Sequence, residues 1–114
     1  MKDYREYNLG STMIKRAKEL DKDSSEFKQM CTNVIETNDA ELNYLFARDV
    51  EGAPAKKHGE VVLRSNDPYL NYLFATEVMG ANIPAHKRIV AKFGSRELLN
   101  KLVHETTPID ELEF

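Results

Sequence analysis

Apolar residues recur three or four positions apart along most of this chain, which is the spacing of one face of an α-helix. Leu42, Leu45, Phe46 and Val50 form one such stripe. Turn-forming Asn, Asp, Gly and Pro residues separate it from the next stripe. The pattern predicts an all-α protein of about six or seven short helices.

The middle of the chain is a tandem repeat with a period of 28 residues. Residues 34–61 align with residues 62–89 without a gap, and 13 of the 28 aligned pairs are identical. A third, decayed copy begins at Val90, and a much weaker match around Gly10 and Ser11 precedes the first copy. Such units bury their apolar faces only against their neighbours. We therefore expect helical hairpins stacked into a small bundle that resembles an α-solenoid.

Both full units carry residues that begin and end helices. Asp39 and Asp67 stand where a carboxylate caps backbone N–H groups, and Pro68 stands at a first helical position. Gly52 and Gly80 are expected to supply a left-handed residue at the C′ position.

The remaining helix starts are predicted from the same kinds of residue. The second helix of a unit should begin near Pro54 or Pro84. The turns into the next units are predicted at Thr37-Asn38 and Ser65-Asn66. The helices at the two ends of the chain are predicted to start at Ser11 or Thr12, at Ser24 or Ser25, and at Ser95.

We divide the chain, as a single domain, into five segments. They are N-terminal cap helices (1–33), repeat 1 (34–61), repeat 2 (62–89), a partial repeat or C-terminal cap (90–105) and an acidic tail (106–114).

The repeat pattern Asn-Asp-x-x-Leu-x-Tyr-Leu-Phe-Ala-x-x-Val-x-Gly-Ala resembles short helical repeats in uncharacterised proteins of tailed phages, giant viruses and some bacteria. The match covers residues 34–89 well, and the flanks only through decayed copies. The resemblance implies a helical repeat fold and a phage-like origin, but no shared catalytic or ligand site. It also implies that Asn82 caps the second helix of its unit, whereas the first unit departs from the pattern with Pro54. Small accessory phage proteins often block host machinery, so it also implies a host protein as the partner.

Composition narrows the class of protein. The chain is 41% hydrophobic and 31% charged, with a net charge of −3, which is ordinary for a globular domain. Its one cysteine, Cys31, excludes an internal disulfide and a metal site made of cysteines alone. We find no signal-peptide pattern and no apolar run of membrane-spanning length. We expect a soluble cytoplasmic protein without a cofactor.

Several polar residues are identical in the two units. His58 and His86 could be metal ligands, but a whole repeat separates them and no zinc-type spacing accompanies them. We favour half-buried imidazoles that are hydrogen-bonded to a neighbouring helix or turn. Asn43 and Asn71 are expected to bond turn backbone groups. Tyr44 and Tyr72 are expected at the core edge, with their hydroxyls on polar partners.

No constellation of residues indicates catalysis. Cys31 lies among apolar positions without a neighbouring cation or histidine that would activate it, so we interpret it as a small buried hydrophobe. The chain has no phosphate-binding glycine loop, nucleophile elbow or His-Glu-x-x-His motif. We predict that it is not an enzyme.

Two surfaces are candidates for binding a partner. Positions that differ between the units should share one face of the first helix, and this face could bind a protein. It comprises Glu41, Arg48 and Glu51 in the first unit and Tyr69, Thr76 and Met79 in the second. A basic C-terminal stretch could instead contact nucleic acid, although we expect no aromatic residues interleaved with it. It comprises Lys87, Arg88, Lys92, Arg96 and Lys101.

The first hypothesis is a phage accessory protein that binds and inhibits a host protein, in its sharpest form an inhibitor of host defence that resembles an anti-CRISPR protein. A nucleic-acid-associated protein and a self-assembling structural component are the alternatives. The oligomeric state is left open.

Overall fold

The structure is a computed structural model that describes residues 4–106, with side chains from residue 11 onward. The predicted all-α class is confirmed, because these residues form seven helices and no strand. The helices are α1 (Tyr4–Glu19), α2 (Ser25–Glu36), α3 (Ala40–Asp49), α4 (Ala55–Ser65), α5 (Pro68–Glu77), α6 (Ile83–Phe93) and α7 (Arg96–Thr106).

The helices stack in two layers. Connections of a few residues make successive helices antiparallel neighbours, as in other helical hairpins. The odd layer contains α1, α3, α5 and α7, each of which packs on the next odd-numbered helix. The even layer contains α2, α4 and α6, which pack in the same way. Together they form a slab of 47 × 33 × 18 Å.

The core repeats with the period of the sequence. Two columns of the repeat are completely buried in three successive copies, namely Val34, Val62 and Val90 in one column and Phe46, Phe74 and Leu102 in the other. The decayed third copy therefore keeps the large apolar side chains that the stack needs, although most of its other residues have changed.

Helix starts follow the predicted capping residues. Asp39 and Asp67 each accept a backbone N–H from three residues further on, both at 3.0 Å. Ser24 and Ser95 cap α2 and α7 in the same way, at 3.1 and 3.0 Å. Each cap satisfies one of the N–H groups that a helix end leaves without an intrahelical acceptor.

The turns use left-handed residues at repeat-equivalent positions. Asn38 and Asn66 have φ of 55° and 58°, which asparagine tolerates better than most residues. Gly52 and Gly80 both have φ of 85°. The glycines were predicted at C′ but lie one residue later, because extended backbone at the preceding valines ends α3 and α5 earlier.

The second helix of each unit begins as its sequence indicates. The Asn82 side chain caps α6 by accepting the Ala85 N–H at 3.3 Å, whereas Pro54 gives α4 no side-chain cap. The predicted start of α1 is wrong, because Ser11 and Thr12 lie inside a helix that begins at Tyr4. A single helical glycine costs only about 1 kcal/mol, so Gly10 does not interrupt it.

The sequence-repeat boundaries fall inside helices. Residues 61 and 62 lie within α4, and residues 89 and 90 lie within α6, so the structural hairpins are α3–α4 and α5–α6. Of the predicted acidic tail, Thr106 is the last residue of α7, and residues 107–114 lie outside the described part of the chain.

Gly59 sets the distance between α4 and its neighbours. A Cβ at this position would lie 3.0 Å from the Phe74 ring and 3.2 Å from Nε2 of His86. Both of those side chains are almost completely buried, so neither can move aside easily. The equivalent position in the second unit is Lys87, which is only partly buried.

Gly59→Lys, which copies the second unit, is therefore expected to lower the free energy of unfolding by about 3 kcal/mol or more. The reverse substitution at the equivalent site, Lys87→Gly, should cost only about 1 kcal/mol through helix propensity. Urea unfolding followed by circular dichroism measures both. Equal effects at the two sites would contradict the packing role of Gly59.

Candidate functional site

Asn43 joins three successive helices through one side chain. Its Nδ2 donates to the Val34 carbonyl in the last turn of α2, at 3.0 Å, and to the Asp39 carbonyl at the start of α3, at 2.8 Å. Its Oδ1 lies 2.7 Å from Nδ1 of His58 on α4. The side chain is completely buried, and the prediction that it bonds turn backbone groups is confirmed.

The next unit repeats the arrangement. Asn71 donates to the carbonyls of Val62 and Asp67 at 3.1 and 2.7 Å, and its Oδ1 lies 2.6 Å from Nδ1 of His86. The pairing of each asparagine with a histidine 15 residues later was not predicted. The signal was present in the sequence, since both columns are identical in the two units at a constant separation.

The histidines are hydrogen-bonded as predicted, but they are fully rather than half buried. Because each asparagine uses its amide N–H groups on carbonyls, its oxygen must accept, and the imidazole donates from Nδ1. Nε2 of His58 is buried without a hydrogen-bond partner within the described structure. Burial lowers the pKa of both imidazoles to about 4, so both are neutral at pH 7.

Each histidine also packs against the phenylalanine of its own unit. The ring centroids of Phe46 and His58 are 5.1 Å apart, and those of Phe74 and His86 are 4.8 Å apart. No group of three or more His, Cys, Asp or Glu side chains in the described residues could hold a metal ion. The contacts of the two histidines are those of structural residues.

Two tyrosines link neighbouring helices of the odd layer. The Tyr44 hydroxyl donates to Glu77, and the Tyr72 hydroxyl donates to Glu105 at 2.7 Å, 33 residues away in both cases. The predicted polar partners of these hydroxyls are confirmed. Burial, followed by the hydrogen bond to the carboxylate, raises the pKa of both tyrosines.

Cys31 is a buried residue of the first core cluster, together with Phe27 and Val34. Burial raises the pKa of its thiol, which disfavours the reactive thiolate. Its interpretation as a small buried hydrophobe agrees with this environment.

The candidate protein-binding positions of the first unit are charged and already engaged in part. Arg48 donates to the Asp49 carboxylate at 2.8 Å and to the Tyr44 hydroxyl at 3.2 Å. Glu51 forms a 2.9 Å ion pair with Lys22. Glu41 is exposed on the first turn of α3.

The corresponding positions of the second unit expose large apolar groups instead. Tyr69 is 59% exposed on the first turn of α5, and Met79 is 95% exposed. Thr76 is partly buried and donates its hydroxyl to the Tyr72 carbonyl. The expectation that all these positions share a helix face is wrong for Glu51 and Met79, which lie in the turns beyond α3 and α5.

The five predicted basic residues lie on α6 and α7. Lys87 is partly buried, and Arg88, Lys92, Arg96 and Lys101 are exposed. None of them forms an ion pair with the described residues.

The expectation that no aromatic residue would accompany the basic stretch is wrong. Phe93 is 46% exposed, and Nζ of Lys92 lies 5.4 Å from the centroid of its ring. Nζ of Lys101 lies 5.4 Å from the Tyr72 ring, against which Tyr69 stacks with a 6.1 Å centroid distance. Tyr69 and Tyr72 were overlooked because they belong to another helix and precede the basic stretch in sequence.

Comparison with known proteins gave no family model that matches this sequence, and no similar protein among the curated proteins or the solved structures. Within residues 4–106, no helix has both the length and the apolar character required to cross a membrane.

Asn43→Leu should lower the free energy of unfolding by roughly 2–3 kcal/mol, because it leaves the buried Nδ1–H of His58 without an acceptor. The chain uses leucine at the equivalent position of its third copy, Leu99, and methionine at the position 28 residues before His58, Met30. The double variant Asn43→Leu/His58→Met should therefore lose less than the sum of the two single variants. A double-mutant cycle by urea unfolding measures this coupling, and strict additivity would contradict it.

Stability should fall as the pH is lowered from 6.5 to about 4. The unfolded histidines take up protons near pH 6.5, whereas the folded ones resist protonation until about pH 4. The stabilisation is thus complete above pH 6.5, and about 3 kcal/mol per histidine is lost across this window. Urea unfolding at successive pH values measures the loss, which should be about half as large in Asn43→Leu/His58→Met. An unchanged pH profile in that variant would show that other groups cause the loss.

Proposed function

We propose that this chain is a non-catalytic protein-binding module whose partner contacts α5 and the turn that follows it. The contact strip comprises Tyr69, Thr76 and Met79. The observation that carries the proposal is the exposure of Met79 and Tyr69, at 95% and 59%, which are the two most exposed large hydrophobic residues in the part of the chain that the structure describes. Aromatic and methionine side chains are enriched in protein interfaces.

The difference between the two units supports this choice of surface. The stripe that packs is the same in both units, whereas the strip changes from Glu41 and Glu51 to Tyr69 and Met79. The first unit therefore shows that the fold tolerates charge at these positions. The packing of the stack does not require apolar groups at these positions, so binding accounts for them better.

In its narrower form, the proposal is that the partner is a host protein and that binding inhibits it. The resemblance of the repeat to those of tailed phages supports this form, by analogy with small phage proteins that block host defence in the manner of anti-CRISPR proteins. Such an inhibitor would act in the host cytoplasm, as a stoichiometric ligand of the protein that it blocks.

The test exchanges residues between the two units. Tyr69→Glu/Met79→Glu gives the second unit the residues of the first, and is expected to weaken binding of a partner protein by roughly 10- to 100-fold. The control, Glu41→Tyr/Glu51→Met, makes the reverse exchange and should leave binding unchanged. The partner is first captured from nuclease-treated bacterial lysate with tagged wild-type protein, and its affinity is then measured with purified components by calorimetry.

Unchanged affinity of the Tyr69→Glu/Met79→Glu variant for the purified partner would show that the strip is not the interface. If the partner is an enzyme, its activity should fall to a plateau at one equivalent of the wild-type chain. If the activity of the bound partner did not change, the proposal of a protein-binding module would stand and the proposal of inhibition would be wrong.

A further inference from the structure

A second surface lies where α6 ends and α7 begins, and it combines exposed aromatic rings with cations. A Cβ at Gly94 would lie 3.0 Å from Cβ of Pro68, so the end of α6 lies directly against the start of α5. This contact brings Phe93 and Tyr69, the residues next to Gly94 and Pro68, to the same end of the slab. Neither ring is needed to fill the core, since Phe93 is 46% exposed and Tyr69 is 59% exposed.

The Tyr69 ring stacks on one neighbour, the Tyr72 ring, with an interplanar angle of 21°. Nζ of Lys101 lies beside the Tyr72 ring. A further planar ring could continue this stack on the exposed side of Tyr69. Stacking on aromatic side chains is the main way in which proteins hold the bases of single strands.

The stretch of chain that contains Phe93 carries more cations than carboxylates. Between residues 87 and 105 the chain carries five Lys or Arg residues against two glutamates, Glu97 and Glu105. Glu105 accepts the Tyr72 hydroxyl, and none of the five cations forms an ion pair with the described residues. The cations are thus available to phosphates, although the chain as a whole has a net charge of −3.

We propose that this surface, formed by Tyr69, Phe93, Lys92, Arg96 and Lys101, binds single-stranded nucleic acid. The bases stack on Tyr69 and Phe93, and the cations beside the rings contact the phosphates. Duplex DNA fits less well, because its bases are not available for stacking on exposed rings. The inference goes beyond the protein-binding strip and shares only Tyr69 with it, since Thr76 lies near the other end of α5 and Met79 lies in the turn that follows.

Fluorescence anisotropy of a labelled oligothymidylate of about 12 nucleotides tests the proposal with the full chain at low salt. We expect binding that weakens steeply as salt is added, and that is weaker for a duplex of equal length. Phe93→Ala should reduce affinity about tenfold through lost stacking, with little change in the salt dependence. Lys92→Glu/Arg96→Glu should reduce both the affinity and the salt dependence.

The matched control is Lys56→Glu/Lys57→Glu, which makes the same change of net charge at two exposed residues of α4 and should bind nearly as wild type does. An equal loss in that control would overturn the proposal, because it would mean that overall charge alone is involved. Absence of binding to the wild-type chain at low salt would overturn it as well.

Competition with polyglutamate distinguishes nucleic acid from an acidic protein surface. Polyglutamate lacks bases, so it should compete much more weakly than unlabelled oligothymidylate. Equal competition would overturn the proposal in favour of an acidic protein partner. Met79→Glu should leave oligothymidylate binding unchanged, so failure of this inference and failure of the protein-binding strip give different results.

Discussion

The buried asparagine–histidine pair is the interaction on which the stack of hairpins depends. A helix hairpin held only by apolar contacts can slide or rotate, since the hydrophobic effect is not directional. Asn43 removes that freedom, because its amide satisfies a carbonyl at the end of α2 and another at the start of α3, while its oxygen accepts from His58 on α4. A shift of any one helix would leave buried polar groups unpaired.

The same pair also explains why the odd layer can vary at its surface. The Asn–His pairs and the columns of valine and phenylalanine fix each hairpin from the inside, and the tyrosine–glutamate bonds link adjacent odd-layer helices at the core edge. Positions outside these contacts, such as Glu41 and Tyr69, can change without disturbing the packing. The exposed apolar groups of the second unit form a surface of this kind.

Much of the fold followed from the sequence because its determinants are local or periodic. Aspartate caps, apolar stripes and the decayed third copy could each be recognised within a short window or by comparing units. The partner of His58 lies 15 residues away, so no short window contains the pair, and the constant Asn–His separation in the two units shows that both columns are fixed without showing that they touch. Tyr69, Phe93 and Lys101 were not considered together for a similar reason, since they belong to three helices whose relative positions follow only from the packing.

Gly59 limits how far the architecture can be extended. The three successive residues of this repeat column are Cys31, Gly59 and Lys87, and the first two are small. Another even-layer helix that packed on α6 as α6 packs on α4 would meet a lysine side chain where α6 meets a hydrogen atom. A gene that duplicated the second unit unchanged would therefore encode a misfit at the new junction. An added copy of the second unit would therefore need a small residue in place of Lys87, as the first unit has in Gly59.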